Sequence, residues 1–88
     1  MRILVVEDEP LIASFIEKGL VAEGHAIEIA GDGPSAVGAF ISSPADLVVL
    51  DVMLPGFDGF EVLSQIRQVD PLVPVIMLTA RGLSLIHI

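Results

Sequence analysis

Cysteine is absent from the 88-residue chain, which excludes a disulfide framework, a thiolate metal site and a cysteine nucleophile. Basic residues are scarce: Lys and Arg together number 4 against 12 Asp and Glu, for a formal net charge of −8. A surface of that sign repels phosphate backbones and anionic lipid, so this segment is not expected to contact nucleic acid or a membrane directly. Long apolar runs are missing as well. Asp46, Asp51 and Asp58, or Pro71 and Pro74, interrupt the apolar stretches, and none reaches the ~18 uninterrupted residues of a spanning helix. No signal peptide is legible either, because Met1-Arg2 is followed by only Ile3 to Val6 before Glu7-Asp8-Glu9. A soluble, cytoplasmic chain is the expectation. Internal repeats, linkers and low-complexity runs are also lacking.

Apolar residues are what the chain has in excess. Hydrophobic types make up 53%, with 8 glycines besides, against ~45–50% for both together in an ordinary globular domain. A typical domain runs to ~100–150 residues, so the chain is one domain at most and possibly part of one. The apolar residues fall into two alternating kinds of segment. Ile3 to Val6, Ala26 to Ala30, Leu47 to Leu50 and Val75 to Leu78 are short and rich in β-branched residues. Three of these are continuous apolar runs, the mark of strands covered on both faces. The second carries Glu28 and reads as an edge strand.

Helical patterns lie between them. Pro10 suits a first turn, with Leu11, Ile12, Phe15, Ile16 and Leu20 on one face and Gly24 at the C′ position. Asp32-Gly33-Pro34 opens a second helix through Ala36, Val37 and Phe40, stopped before Pro44. In the third, Asp58 and Glu61 have capping-box spacing, and Phe60, Leu63 and Ile66, with Val62 alongside, form the apolar face. The order β-α-β-α-β-α-β, joined by right-handed crossovers, gives an α/β fold with a doubly wound parallel sheet.

Such sheets carry their chemistry at the carboxyl ends of the strands. There the first strand is followed by Glu7, Asp8 and Glu9, the third by Asp51 and the fourth by Thr79. With strands one and three adjacent, Asp8 and Asp51 face one crevice beside Glu7. Carboxylates that close raise one another's pKa unless a cation intervenes, and Mg²⁺ is a hard, oxygen-seeking answer. Asp51 is then placed to act as a nucleophile toward a phosphoryl group. A single Asp after a strand is most often a cap or a solvated turn, and Glu9 and Asp58 fit that reading. Three acids and a hydroxyl after three different strands are harder to dismiss in that way. His25, alone at the start of the edge strand, reads as structural.

The segments Ile3-Leu4-Val5-Val6-Glu7-Asp8-Glu9, Leu47 through Gly59 with Asp51-Val52-Met53-Leu54-Pro55-Gly56-Phe57-Asp58-Gly59, and Val75-Ile76-Met77-Leu78-Thr79-Ala80-Arg81 resemble, in order and spacing, the receiver domain of bacterial two-component response regulators. The wording is most similar to the OmpR-type winged-helix class. The resemblance covers residues 1–81 and implies the flavodoxin-like (βα)5 receiver fold. It further implies that Asp51 is the phospho-acceptor for a partner sensor histidine kinase. Asp8 would bind Mg²⁺ directly, Glu7 through water and Met53 through its backbone carbonyl, with Thr79 as the switch hydroxyl. Pro55-Gly56 and Asp58-Gly59 would shape the loop into the third helix. The chain would be a signalling domain and not an enzyme, reaching DNA only through a C-terminal effector domain.

The chain departs from that family after Thr79. Nine residues follow, too few for a fourth helix, a fifth strand and a fifth helix, and no lysine occurs beyond Lys18 to pair with the phosphoryl group. The expectation is therefore a receiver domain over residues 1–82, cut after the fourth strand. Residues 83–88, Leu-Ser-Leu-Ile-His-Ile, correspond to one reading frame of a transposase adapter end and read as a non-native tail. The dimerisation surface would be largely missing, and the loss would leave a bare apolar face and an unpaired edge on the fourth strand. The competing reading is a Mg²⁺-dependent, haloacid-dehalogenase-like phosphatase. It needs a second Asp two residues after the nucleophile, where this chain has Met53. A fragment, or a structural module whose acids bind nothing, is the bland reading.

Overall fold

The computed structural model describes residues 1–52 and 59–78, and the backbone of residues 85–87. Four parallel strands form the sheet: β1 (Arg2–Val6), β2 (Ala26–Ala30), β3 (Leu47–Asp51) and β4 (Val75–Leu78). They alternate with α1 (Pro10–Ala22), α2 (Gly33–Ser42) and α3 (Gly59–Val69). The spatial order is β2-β1-β3-β4, so the Glu28-bearing strand lies at an edge, as its composition predicts. A short β5 (Leu85–His87) continues the sheet on the far side of β4, antiparallel, with Leu78 opposite Leu85 and Ile76 opposite His87. The edge of β4 is therefore paired and not bare as expected. Unpaired strand amides and carbonyls recruit any extended segment within reach, and residues 85–87 are such a segment.

Alternation along the strands sorts the core into two layers. Leu4, Val6, Val48, Leu50, Val75 and Met77 pack with Ala36 and Phe40 of α2 and Val62 and Ile66 of α3. On the opposite face Ile3, Val5 and Val49 pack with Ile16 and Leu20 of α1. The helices thus occupy both faces, as the crossover rule requires.

Local chemistry sets the helix ends. Glu9 caps α1, its carboxylate accepting from the Leu11 amide, and Pro10 occupies the first turn. Asp32 caps α2, accepting from the Ser35 amide at 2.8 Å. Gly24, just after α1, has φ +91°, a left-handed conformation that favours glycine at this position. Asp58, expected to cap α3, lies outside the described residues.

Two helices are rotated relative to the faces expected from sequence. In α1 the stripe turned to the sheet is buried Ala13 with half-buried Ile16 and Leu20, while Leu11 and Phe15 are 80% and 79% exposed and Ile12 is also exposed. In α3 the buried residues are Gly59, Val62 and Ile66, with Leu63 packed beside them, and Phe60 is exposed. Both seams follow the same i, i+3, i+7 spacing. A helix on a nearly flat sheet buries only a narrow stripe, so a second apolar row on its flank stays in solvent. The apolar face expected to be bare is therefore present, on α1.

Candidate metal and phosphoryl-acceptor site

The strand register brings the acids together. Val5 pairs with Val49 and Val6 with Leu50, so Glu7 and Asp51 stand at the same level of the sheet. The Glu7 amide donates to the Ala30 carbonyl at 3.0 Å, holding the residue in line with β1. On the other side, the Val52 amide donates to the Leu78 carbonyl at 3.1 Å and fixes the end of β3 against β4. Glu7, Asp8 and Asp51 each present a carboxylate oxygen, and these oxygens lie within 4.8 Å of one another.

The environments of the three differ. Glu7 is buried, at 4% exposure, and is the only polar residue in the core among the described residues; Asp51 is half-buried and Asp8 exposed. Glu7 Oε2 accepts from the Glu9 amide at 3.0 Å, a bond that orients the carboxylate before any ligand arrives. Burial pushes the Glu7 carboxyl up from 4.5 to about 7. The Glu9 amide opposes this, while Asp51 and, to a smaller extent, Asp8 add to it. Desolvation is the principal cause, because a carboxylate with little access to water loses solvation that one amide only partly replaces.

Stability is consequently expected to depend on pH. The Glu7 carboxyl holds its proton more tightly in the folded chain than in the unfolded one. Its contribution is thus complete below about pH 4.5 and is lost as pH rises through about 7. In chelator, urea unfolding is expected to show stability falling over this window by a few kcal/mol at most, since a tenfold difference in proton affinity between the two states corresponds to ~1.4 kcal/mol. Glu7→Gln, which keeps the shape and removes the titration, is expected to flatten the fall. Added Mg²⁺ is expected to restore stability at pH 8 and to do little at pH 5.

The donor set fits a hard divalent cation. All three groups are carboxylates, they crowd into one small space, and one of them is buried where bare negative charge is unfavourable. Met53 and Thr79, singled out from sequence, lie outside the described residues, as do Pro55, Gly56 and Asp58. Glu9 stays out of the cluster and serves as helix cap and amide donor. His25 does not approach the site; its Nδ1 lies 3.2 Å from the Met1 amino group. Sequence reasoning missed two features of the site: the near-complete burial of Glu7, and the close approach of Gly59 to the Asp51–Val52 peptide. The burial was signalled by the apolar run preceding Glu7. The approach had only the glycine itself as a signal.

Comparison with known proteins gives the family. Residues 3–85 match the response regulator receiver domain family, and the match extends three residues past the expected boundary at residue 82. The transcriptional regulatory protein TcrA of Mycobacterium tuberculosis (strain ATCC 25618 / H37Rv) is 51% identical over 82 residues, 93% of this chain and 32% of its own length. The transcriptional regulatory protein QseB of Haemophilus influenzae is 47% identical over 81 residues, 92% of this chain and 37% of its own length. The chain thus spans about a third of the length of the curated relatives it matches. Among solved structures, the response regulator TrrA from Thermotoga maritima, in complex with Mg²⁺-BeF, superposes with a TM-score of 0.87 at 42% identity, covering 92% of this chain and 70% of that one. The chain belongs to the response regulator receiver family.

Proposed function

We propose that this receiver chain is the phospho-acceptor of a two-component relay, with Asp51 taking a phosphoryl group from a sensor histidine kinase. One observation carries the reading: three carboxylates from the ends of two adjacent strands converge within 4.8 Å, with one of them forced into the core. Its placement favours Asp51 as the acceptor. It is the last residue of β3, its backbone is held by β4 and its side chain is half open to a donor.

One carboxylate oxygen of Asp51 forms the new O–P bond as the P–N bond to the donor imidazole breaks, and the imidazole leaves to be reprotonated from water. Glu7, oriented by the Glu9 amide, and Asp8 would hold Mg²⁺ with Asp51 and the Met53 backbone carbonyl. When bound, the ion supplies positive charge to the acids and to the oxygens of the phosphoryl group. Thr79 follows β4 in sequence and is assigned the switch hydroxyl that responds to the new charge. The chain is a reactant in this relay, consumed and regenerated each cycle, and not an enzyme turning over a substrate.

The output of the whole protein is proposed to be transcriptional, through an OmpR-type DNA-binding domain, because the relatives TcrA and QseB are transcriptional regulatory proteins. The −8 charge leaves DNA contact to that other domain. A cytoplasmic place suits a kinase-fed switch, and none of the described helices is long and apolar enough to cross a membrane.

Intact mass measurement of the chain after incubation with acetyl phosphate tests the reading. One phosphoryl adduct is expected with Mg²⁺ and none with excess chelator. A chain that gains no mass with Mg²⁺ present, while folded by circular dichroism, contradicts it.

A further inference from the structure

We propose that Gly59 is a positioning residue for the acceptor, its missing side chain setting where the Asp51–Val52 peptide, and hence the Asp51 carboxylate, can sit. The inference rests on the acceptor role proposed for Asp51. Gly59 is the first residue of α3 and is buried. Its amide donates to the Val52 carbonyl at 2.7 Å, so the start of the helix is tied directly to the residue after the acceptor. A methyl group on Gly59 would lie 2.6 Å from the Asp51 carbonyl oxygen, 2.7 Å from Val52 Cα and 3.1 Å from the Val52 carbonyl oxygen. All three are main-chain atoms. None can swing aside as the end of a side chain could, so the peptide or the helix must move.

The peptide has little room to yield. The Val52 amide is bonded to the Leu78 carbonyl, and Asp51 is in register with Leu78. The end of β3 is therefore held both by β4 and by the start of α3. Any shift of this peptide disturbs its bond to Leu78 and changes where the Asp51 carboxylate sits relative to Glu7 and Asp8. Among the glycines described for the space around them, Gly19, Gly24, Gly31 and Gly38 have nothing within 4 Å of an added methyl group. Of these five glycines, Gly59 alone has such an approach, and the atoms it meets belong to the acceptor and the residue after it.

Displacements well under an ångström in reacting groups lower rates sharply, and a misplacement near 1 Å can lower them ~100-fold. Gly59→Ala is therefore expected to reduce the acetyl phosphate reaction of Asp51 by on the order of 10- to 100-fold per folded molecule and to weaken Mg²⁺ binding. It is also expected to speed hydrogen exchange of the Val52 amide relative to the Val49 amide. Val62→Ala, one helical turn along α3 in the core, controls for lost packing. It is expected to keep the wild-type rate per folded molecule, Mg²⁺ affinity and Val52-to-Val49 exchange ratio. The folded fraction of each variant is taken from circular dichroism, with trimethylamine N-oxide added to favour the compact state.

Gly59→Ala with wild-type Mg²⁺ affinity and exchange ratio overturns the proposal, as does parallel loss in the two variants. So does a Gly59→Ala chain that stays unfolded where Val62→Ala folds, since Gly59 would then serve stability alone. If the wild-type chain takes up no phosphoryl group, the acceptor reading fails, and Mg²⁺ affinity and the Val52 exchange ratio still decide the positioning of the carboxylate.

Discussion

Asp51→Asn is expected to abolish the covalent phosphoryl adduct while leaving the chain folded and, without divalent cation, slightly more stable. The loss follows from chemistry. An amide oxygen has neither the charge nor the basicity of a carboxylate, and β3 carries no other carboxylate. The gain in stability follows from the crowding of acids. Above about pH 7, where Glu7 is ionised, removing the charge at residue 51 relieves repulsion on it, worth about 1 kcal/mol for a partly screened pair of charges. Intact mass reports the first effect and urea unfolding in chelator at pH 8 the second. An Asp51→Asn chain that is phosphorylated at the wild-type rate would remove Asp51 from the mechanism. One that is less stable than wild type would instead make Asp51 a structural group.

Phe40→Ala is expected to have the largest effect on the fold. Phe40 is 1% exposed and sits where α2 meets the sheet layer built from Leu4, Val6, Val48 and Leu50. Truncating a buried phenylalanine costs ~3–5 kcal/mol, the lost transfer energy plus the cavity left behind. Small domains have only ~5–15 kcal/mol in total. A fully or largely unfolded chain at about 37 °C is the expected circular dichroism result. Phe15→Ala, on the exposed flank of α1, is the informative contrast and is expected to change stability by less than about 1 kcal/mol. Equal losses from the two substitutions would mean that the flank of α1 is covered.

What could be read from the residues, and what could not, divides along physical lines. The four parallel strands were legible because continuous runs such as Ile3 to Val6 and Leu47 to Leu50 have one satisfactory environment, a sheet covered on both faces. The caps and turns at Glu9-Pro10, Asp32 and Gly24 were legible because they are local chemistry. The meeting of Glu7, Asp8 and Asp51 followed from strand order alone, since strands one and three had only to be neighbours. Helix rotation was harder. Leu11, Ile12 and Phe15 are as apolar as Ile16 and Leu20, and nothing in composition says which of two adjacent rows will face the sheet. The same ambiguity put Phe60 on the wrong side of α3.

The pairing of residues 85–87 with β4 was not legible for a different reason. A short apolar segment has no periodicity to mark it, and its conformation comes from the open strand edge beside it. Close backbone approach at Gly59 is also a tertiary fact. It depends on where the end of β3 lies when α3 begins, and a glycine that is needed for space looks in sequence like one needed for a turn.

The central claim is that one carboxylate, Asp51, receives the phosphoryl group at a site it shares with Glu7 and Asp8. Borohydride reduction tests it most directly, because an acyl phosphate is reduced to the alcohol while unmodified carboxylates are left intact. After incubation with acetyl phosphate and Mg²⁺, reduction, proteolysis and peptide mass mapping are expected to find homoserine at residue 51 and at no other acidic position. Reduction at Glu7 or Asp8 in place of Asp51, or a phosphoryl group found only on a non-acidic residue such as His25, would contradict the account.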